Sequence, residues 1–177
     1  SEVLVSVGGG AVGYRLLHTA LGVRALGTLD DRTWRFLVGP NLPDKEINQL
    51  QIRAKGLEGV IIERYRQDFL SLLSRCCVSI SQGGYNTIVD ILAARAPAIV
   101  VPFGSDSETE QTQRSRLLGN LGLLKVVWEG ELETRSLAKV VVEVAASARP
   151  KPSTIALDGA RQSAAQIFKL VTARRKS

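Results

Sequence analysis

Short apolar runs alternate along the chain with segments whose apolar residues recur every three or four positions. The runs are Val3–Val7, Trp34–Val38, Gly59–Ile62, Cys77–Ile80, Ala98–Val101 and Lys125–Trp128. Each is too short for a helix and is rich in Val or Ile, so each predicts a strand. Between them, Ile47, Leu50, Ala54 and Leu57 keep helical spacing, as do Phe69, Leu72, Leu73 and Cys76. Leu137, Val140, Val141 and Val144 form another such stripe, and Ala164, Ile167, Phe168 and Val171 a last one. The break before that last helix falls at Ala148–Ser153, which holds Pro150 and Pro152. Strands alternating with helices imply a parallel sheet covered on both faces. The expected fold is therefore α/β, a Rossmann-like doubly wound parallel sheet of about six strands. With 177 residues and no repeat or linker, the chain predicts one domain over 1–177.

Sheets of this kind bind ligands at the carboxyl ends of their strands, so the residues just after each run matter most. After the first comes Gly8-Gly9-Gly10-Ala11-Val12-Gly13, with the spacing G-x-G-x-x-G. Such glycines let the backbone approach a phosphate, and the following helix aims its N–H groups at it. Their plainer use is a tight strand-to-helix turn. A dinucleotide site also wants an acid at the end of the second strand. Here that strand runs into Gly39-Pro40-Asn41, while Asp30 and Asp31 precede it and belong at its other end, against NAD binding.

The stretch Ser81–Pro97 carries more information. Gly83-Gly84 ends a strand, and Asn86 and Thr87 fall in the first turn of the next helix, where unpaired N–H groups gather. Asp90 lies one turn further and has the chemistry to accept two hydrogen bonds from vicinal hydroxyls such as those of a ribose. Read without its neighbours, it is an acid placed favourably near a helix N-terminus.

Charge narrows the partners. The chain has 23 basic and 17 acidic residues, a formal charge of +6, which suits a phosphorylated ligand, nucleic acid or an anionic membrane surface. Part of it sits in the tail Arg174-Arg175-Lys176, a solvated end. Nucleic-acid binding wants aromatics beside basic residues, and aromatics are only 5%, so no nucleic-acid partner is expected. Arg114 and Arg116 read as an exposed helix face. The single histidine, His18, falls on the first helix and reads as structural, and no Ser/His/Asp set can be assembled. Asp106-Ser107-Glu108 reads as a solvated loop rather than an ion site, so no metal or other cofactor is expected. The two cysteines, Cys76 and Cys77, are adjacent and unsuited to bridging each other. With no apolar run of bilayer length, they favour a cytoplasmic setting. The chain starts at Ser1, has no methionine and enters a strand almost at once, which suggests an excised domain.

Taken together, the glycine loop at Gly8–Gly10, Gly84-Tyr85-Asn86-Thr87 with Asp90, Pro97, Val101-Pro102-Phe103, and Glu110-Gln111 with Arg114 resemble the carboxyl-terminal domain of family 28 glycosyltransferases of the GT-B fold. That family includes the transferase that adds N-acetylglucosamine to the lipid-linked peptidoglycan precursor. The resemblance implies one half of a GT-B architecture, binding a nucleotide-diphosphate sugar for metal-independent, inverting transfer to an acceptor hydroxyl. It implies that Gly8, Gly9, Gly10, Gly84, Asn86 and Thr87 hold the diphosphate, that Asp90 holds the ribose, and that the backbone at Tyr65 and Arg66 reads a uracil edge. Glu110 and Gln111 then meet the donor sugar. Gly10 stands where a relative has a hydroxyl residue, and Glu110 replaces one of a glutamine pair. The expected partners are the nucleotide-sugar donor and an amino-terminal acceptor-binding domain or partner subunit that supplies the catalytic base. The expected setting is the cytoplasm, with peripheral association at the inner membrane face. Two other readings stay open on the same residues: a nucleotide-sugar hydrolase or epimerase, and a non-catalytic donor-binding subunit completed by another chain.

Overall fold

The computed structural model of the protein describes residues 1–8, 13–103 and 110–151. The last expected helix, with Ala164, Ile167, Phe168 and Val171, lies outside the described residues, as do the basic tail and Asp106-Ser107-Glu108.

Six parallel strands form one sheet in the order β3-β2-β1-β4-β5-β6. They are β1 (Val3–Ser6), β2 (Trp34–Leu37), β3 (Val60–Glu63), β4 (Val78–Gln82), β5 (Ala98–Val101) and β6 (Lys125–Val126). The helices between and after them are α1 (Tyr14–Ala25), α2 (Asp44–Ala54), α3 (Phe69–Arg75), α4 (Tyr85–Ala94), α5 (Glu110–Asn120) and α6 (Thr134–Ala146). The chain builds outward from β1 to β3, then returns to β1's other side with β4. The order of strands therefore reverses between β1 and β4, which is where ligands of such sheets are bound.

The period of two along each strand divides the core. Val3, Val5, Trp34, Phe36, Ile80 and Ile99 face α1, α2 and α6, packing on Leu17, Leu21, Leu50 and Val141. Leu4, Leu37, Ala98 and Val100 face the other way, onto Leu72, Leu73, Ile91 and Leu118 of α3, α4 and α5. A sheet buried on both faces explains why its strands read as continuous apolar runs rather than as alternation. Two details depart from the expected elements. The sixth strand is only Lys125–Val126, because the chain past Val127 turns away through a short 3-10 turn at Glu129–Glu131. Leu57, expected on the helical stripe of Ile47, lies beyond the end of α2. Cys76 and Cys77 are both free, and burial pushes the Cys76 thiol up to about 12. Among the described residues, no helix is long and apolar enough to cross a membrane.

The segment after α6 latches the amino-terminal edge of the sheet. Arg149 donates to Cys76 O at 2.9 Å and to Ala94 O and Arg95 O at 3.3 Å, so one guanidinium satisfies the open carbonyls at the ends of both α3 and α4. Arg95 closes α4 at φ +53°, a left-handed position usually given to glycine, and its own Nε donates to Pro150 O at 2.9 Å. Replacing Arg149 by Ala is expected to cost about 2 kcal/mol, since it strips a charged donor from several partly buried carbonyls. Arg149→Lys is expected to recover less than half, because one ammonium cannot span both helix ends. Urea denaturation of the three proteins measures this; an unchanged midpoint in Arg149→Ala would show that the latch contributes nothing.

Candidate functional site

At the carboxyl ends of β1, β2 and β3, between these strands and helices α3 and α4, lies a cleft of about 590 Å³. Its floor is Ser6, Val7 and Leu37, one wall is Asn86, Thr87 and Asp90, and the other is Gly39, Pro40 and the segment from Arg64 to Gln67. A second open cleft, about 320 Å³, lies at the opposite end of the strands beside Pro97, Lys125 and Pro150.

Tight backbone crossings shape the first cleft. At Gly13, which opens α1, an added Cβ would meet Val7 Cβ at 2.3 Å, so no larger residue lets the helix start this close to β1. At Gly39 the backbone has φ +78° and an added Cβ would lie 2.8 Å from Gly8 O. Gly39 thus brings the end of β2 against Val7 and Gly8. The Gly8 N–H donates to Gln82 Oε1 at 3.2 Å, joining the ends of β1 and β4 across the reversal point. Gly9 and Gly10, expected at the diphosphate, lie outside the described residues.

Helix α4 begins at Gly84, which caps it with extended backbone and no side chain. The first-turn N–H groups of Tyr85, Asn86 and Thr87 therefore have neither a preceding helical turn nor a capping oxygen to donate to, the setting that favours an anion. Asn86, Thr87 and Asp90 share one face of α4 at helical spacing and line the cleft together. Among the described residues, no hydrogen bond or ion pair reaches the Asp90 carboxylate, and partial burial raises its pKa above the ordinary value.

The opposite wall is held by ion pairs. Arg66 forks both carboxylate oxygens of Asp68 at 2.8 and 2.9 Å, and this holds the Asp68 carboxyl down at about 2. The Asp68 side chain is thereby diverted from capping α3, which it precedes. With its guanidinium occupied, Arg66 is held in place beside the exposed Tyr65. Sequence reasoning gave Arg64 no role. It donates to Pro40 O at 3.1 Å and Leu42 O at 3.3 Å and pairs with Asp44, while Gly39 N–H donates to Arg64 O at 3.0 Å. Arg64 thus staples the loop after β2 to the loop after β3. The signal available in sequence was slight: an arginine following a strand, with a glycine-proline turn elsewhere.

Glu110 and Gln111 are not among the cleft-lining residues. They open α5, where Glu110 pairs with Arg114 and Arg114 lies over the Tyr85 ring, 4.9 Å from its centroid. That contact corrects the expectation that Arg114 is exposed: its side chain is only 19% exposed, because it is packed against the first residue of α4. Arg116, on the outer side of α5, lies over Trp128 at 5.5 Å. His18 sits away from the cleft, against Arg53 and the Tyr14 ring between α1 and α2, and burial, then Arg53, lowers its pKa. Asp30 and Asp31 lie at the amino-terminal end of β2, away from the strand ends that form the cleft.

The sequence matches the family described as glycosyltransferase family 28 C-terminal domain over residues 4–170. The chain belongs to this family. One relative, a UDP-N-acetylglucosamine--N-acetylmuramyl-(pentapeptide) pyrophosphoryl-undecaprenol N-acetylglucosamine transferase of Haemophilus influenzae, is 25% identical over 172 residues, which cover 95% of this chain and 48% of the relative. The chain thus spans about half the length of that relative. Among solved structures, MurG of Acinetobacter baumannii is similar at TM-score 0.60 and 14% identity, over 89% of this chain and 49% of that one. Os79 of O. sativa in complex with UDP is similar at TM-score 0.60 and 19% identity, over 82% and 32%. These likenesses confirm the Rossmann-like α/β fold expected from the sequence.

A carboxylate with a raised pKa and no partner weighs on the folded state. Since the native state holds the Asp90 proton to higher pH than the unfolded chain does, stability falls as pH rises through the ordinary aspartate range towards the raised native value. Above that window the cost is fully present. Asp90→Asn is expected to melt higher than wild type at neutral pH, with the gain vanishing below the aspartate range. Thermal melts of both proteins across pH 3.5 to 8 measure this; equal melting temperatures at every pH would mean that burial does not burden Asp90.

Proposed function

We propose that this chain is the donor-binding half of a glycosyltransferase, and that the cleft at the reversal between β1 and β4 holds a nucleoside diphosphate sugar, UDP being the favoured nucleotide. The observation that carries this is the Asp90 carboxylate, unpartnered among the described residues and on the same helical face as Asn86 and Thr87, one turn after the uncapped start of α4. An anion-seeking helix start beside a hydroxyl-seeking carboxylate matches the two chemistries of a nucleotide's diphosphate and ribose. Family membership and the similarity to a structure that holds UDP support the same assignment.

In this reading the first-turn amides of α4, with Thr87 and the loop at Gly8–Gly10, take the diphosphate. Asp90 accepts from the two ribose hydroxyls. The backbone at Tyr65 and Arg66, fixed by the Arg66–Asp68 fork, meets the base edge. Glu110 and Gln111, attached to the start of α4 through Arg114 and Tyr85, meet the donor sugar. As the glycosidic bond breaks, negative charge grows on the departing diphosphate. Backbone amides already aimed at that position stabilise it with little reorganisation, so the transfer needs no metal ion. The acceptor hydroxyl attacks from the face opposite the diphosphate and inverts the anomeric carbon. The base that takes its proton comes from an amino-terminal acceptor domain or a partner subunit. The protein works in the cytoplasm, with its excess positive charge suited to the anionic inner membrane surface.

Calorimetric titration tests the donor site. UDP is expected to bind equally with and without EDTA. Asp90→Ala is expected to lose about 1.5–3 kcal/mol of binding free energy, the range for charge-assisted hydrogen bonds. 2′-Deoxy-UDP is expected to bind wild type weakly and the variant no worse than UDP does. Additive losses would remove Asp90 from the ribose, and loss of UDP binding on chelation would remove the metal-independent scheme.

A further inference from the structure

Three buried serines lie side by side under α4. Ser6 and Ser81 are register partners on β1 and β4, and Ser79 stands two residues before Ser81 on the same face. Their side-chain oxygens form a chain, Ser6 Oγ to Ser81 Oγ at 2.8 Å and Ser81 Oγ to Ser79 Oγ at 2.9 Å. Ser79 and Ser81 are 0% exposed, and Ser6, 6% exposed, is the one that reaches the cleft floor. Their immediate neighbours on that face are apolar, Leu4, Leu37, Ala98 and Val100, and the charged pair Arg35–Glu63 lies farther out on β2 and β3.

Counting protons gives this chain a direction. Three hydroxyls carry three protons, and the two contacts use two of them. If the bonds run from the cleft inwards the third proton is left on Ser79, and if both neighbours donate to Ser81 it is left on Ser81; in either place no acceptor faces it among the described residues. An unpaired hydroxyl proton in an apolar interior is costly. If Ser79 donates to Ser81 and Ser81 to Ser6, the third proton is the one on Ser6, at the cleft. Each bond in such a chain also polarises the next, so the last hydroxyl becomes a better donor than an isolated serine.

We propose that Ser6 donates a hydrogen bond to an acceptor oxygen of the bound nucleoside diphosphate, and that Ser81 and Ser79 are positioning residues which fix its direction. This rests on the assignment of the cleft to a nucleotide. Phosphate oxygens only accept, and a ribose that gives its hydroxyl protons to Asp90 keeps its oxygen lone pairs free, so the ligand offers acceptors to a floor that offers a donor.

Calorimetry with UDP on single and double variants decides it, with circular dichroism to check each fold. Ser6→Ala is expected to weaken UDP binding about tenfold, the loss of one good hydrogen bond. Ser6→Cys keeps the volume but gives up the strong donor, and is expected to lose as much. Ser79→Ala, remote from the cleft, is expected to weaken binding about threefold by ending the polarised chain. In the Ser6→Ala background, Ser79→Ala is expected to add nothing, because its effect passes only through Ser6. Additive losses, or wild-type affinity in both Ser6 variants while Asp90→Ala binds weakly, would overturn the serine proposal and leave the nucleotide site standing. Absence of UDP binding to the wild-type chain would overturn both.

Discussion

The closeness of three backbone segments around the end of β1 governs this structure. Helix α1 can start where it does only because Gly13 has no side chain to strike Val7. The turn after β2 can come as near only because Gly39 has none to strike the Gly8 carbonyl. Larger residues would push α1 and the β2 loop away from the reversal point, and the cleft would lose its shape along with its packing. The hydrogen bond from Gly8 to Gln82 completes the closure from the β4 side. The walls inherit their positions from this junction: α4 follows directly from β4, and the loop after β3 is stapled through Arg64 to the loop after β2.

Much of this was legible in the sequence, and the reasons are local. A fully buried parallel strand must be apolar on both faces, so β1 and β5 stand out as short Val- and Ile-rich runs. Gly84-Tyr85-Asn86-Thr87 with Asp90 is legible for a related reason, since a helix start and its first turns are contiguous in sequence. Side chains that act between elements are hidden. Arg64 reaches a loop more than twenty positions earlier, and Arg149 closes two helices that end far before it, yet neither differs in sequence from a solvated arginine. Arg114 shows the same limit, because Tyr85, the ring that covers it, comes from a different helix. The buried serines are an intermediate case. Ser79 and Ser81 alternate within an apolar run and Ser6 ends another, so a period of two could have placed all three hydroxyls on one face.

The two walls of the cleft differ in how their charges are settled. Arg64 pairs with Asp44 and Arg66 with Asp68, and these two pairs give that wall rigidity. Among the described residues, the Asp90 side has a carboxylate without a partner and a helix start without a side-chain cap, and in the proposed direction of the serine chain the Ser6 proton is free to donate. Unmet hydrogen-bonding capacity of both signs is thus gathered on one helix and the floor beneath it. A ligand bearing both hydroxyl donors and anionic acceptors meets it at once, whereas a purely anionic or purely apolar ligand leaves part of it unmet.

Backbone amide shifts of the nitrogen-15-labelled protein during a UDP titration test this account most directly, because they locate the ligand without assuming which side chains hold it. The expected result is saturable shifts concentrated at Gly8, at Tyr65–Gln67 and at Tyr85–Asp90, on both walls of the cleft at the β1–β4 reversal. Saturable shifts centred instead on Gly119–Lys125, beside the cleft at the other end of the strands, or no saturable shifts at all, would contradict it.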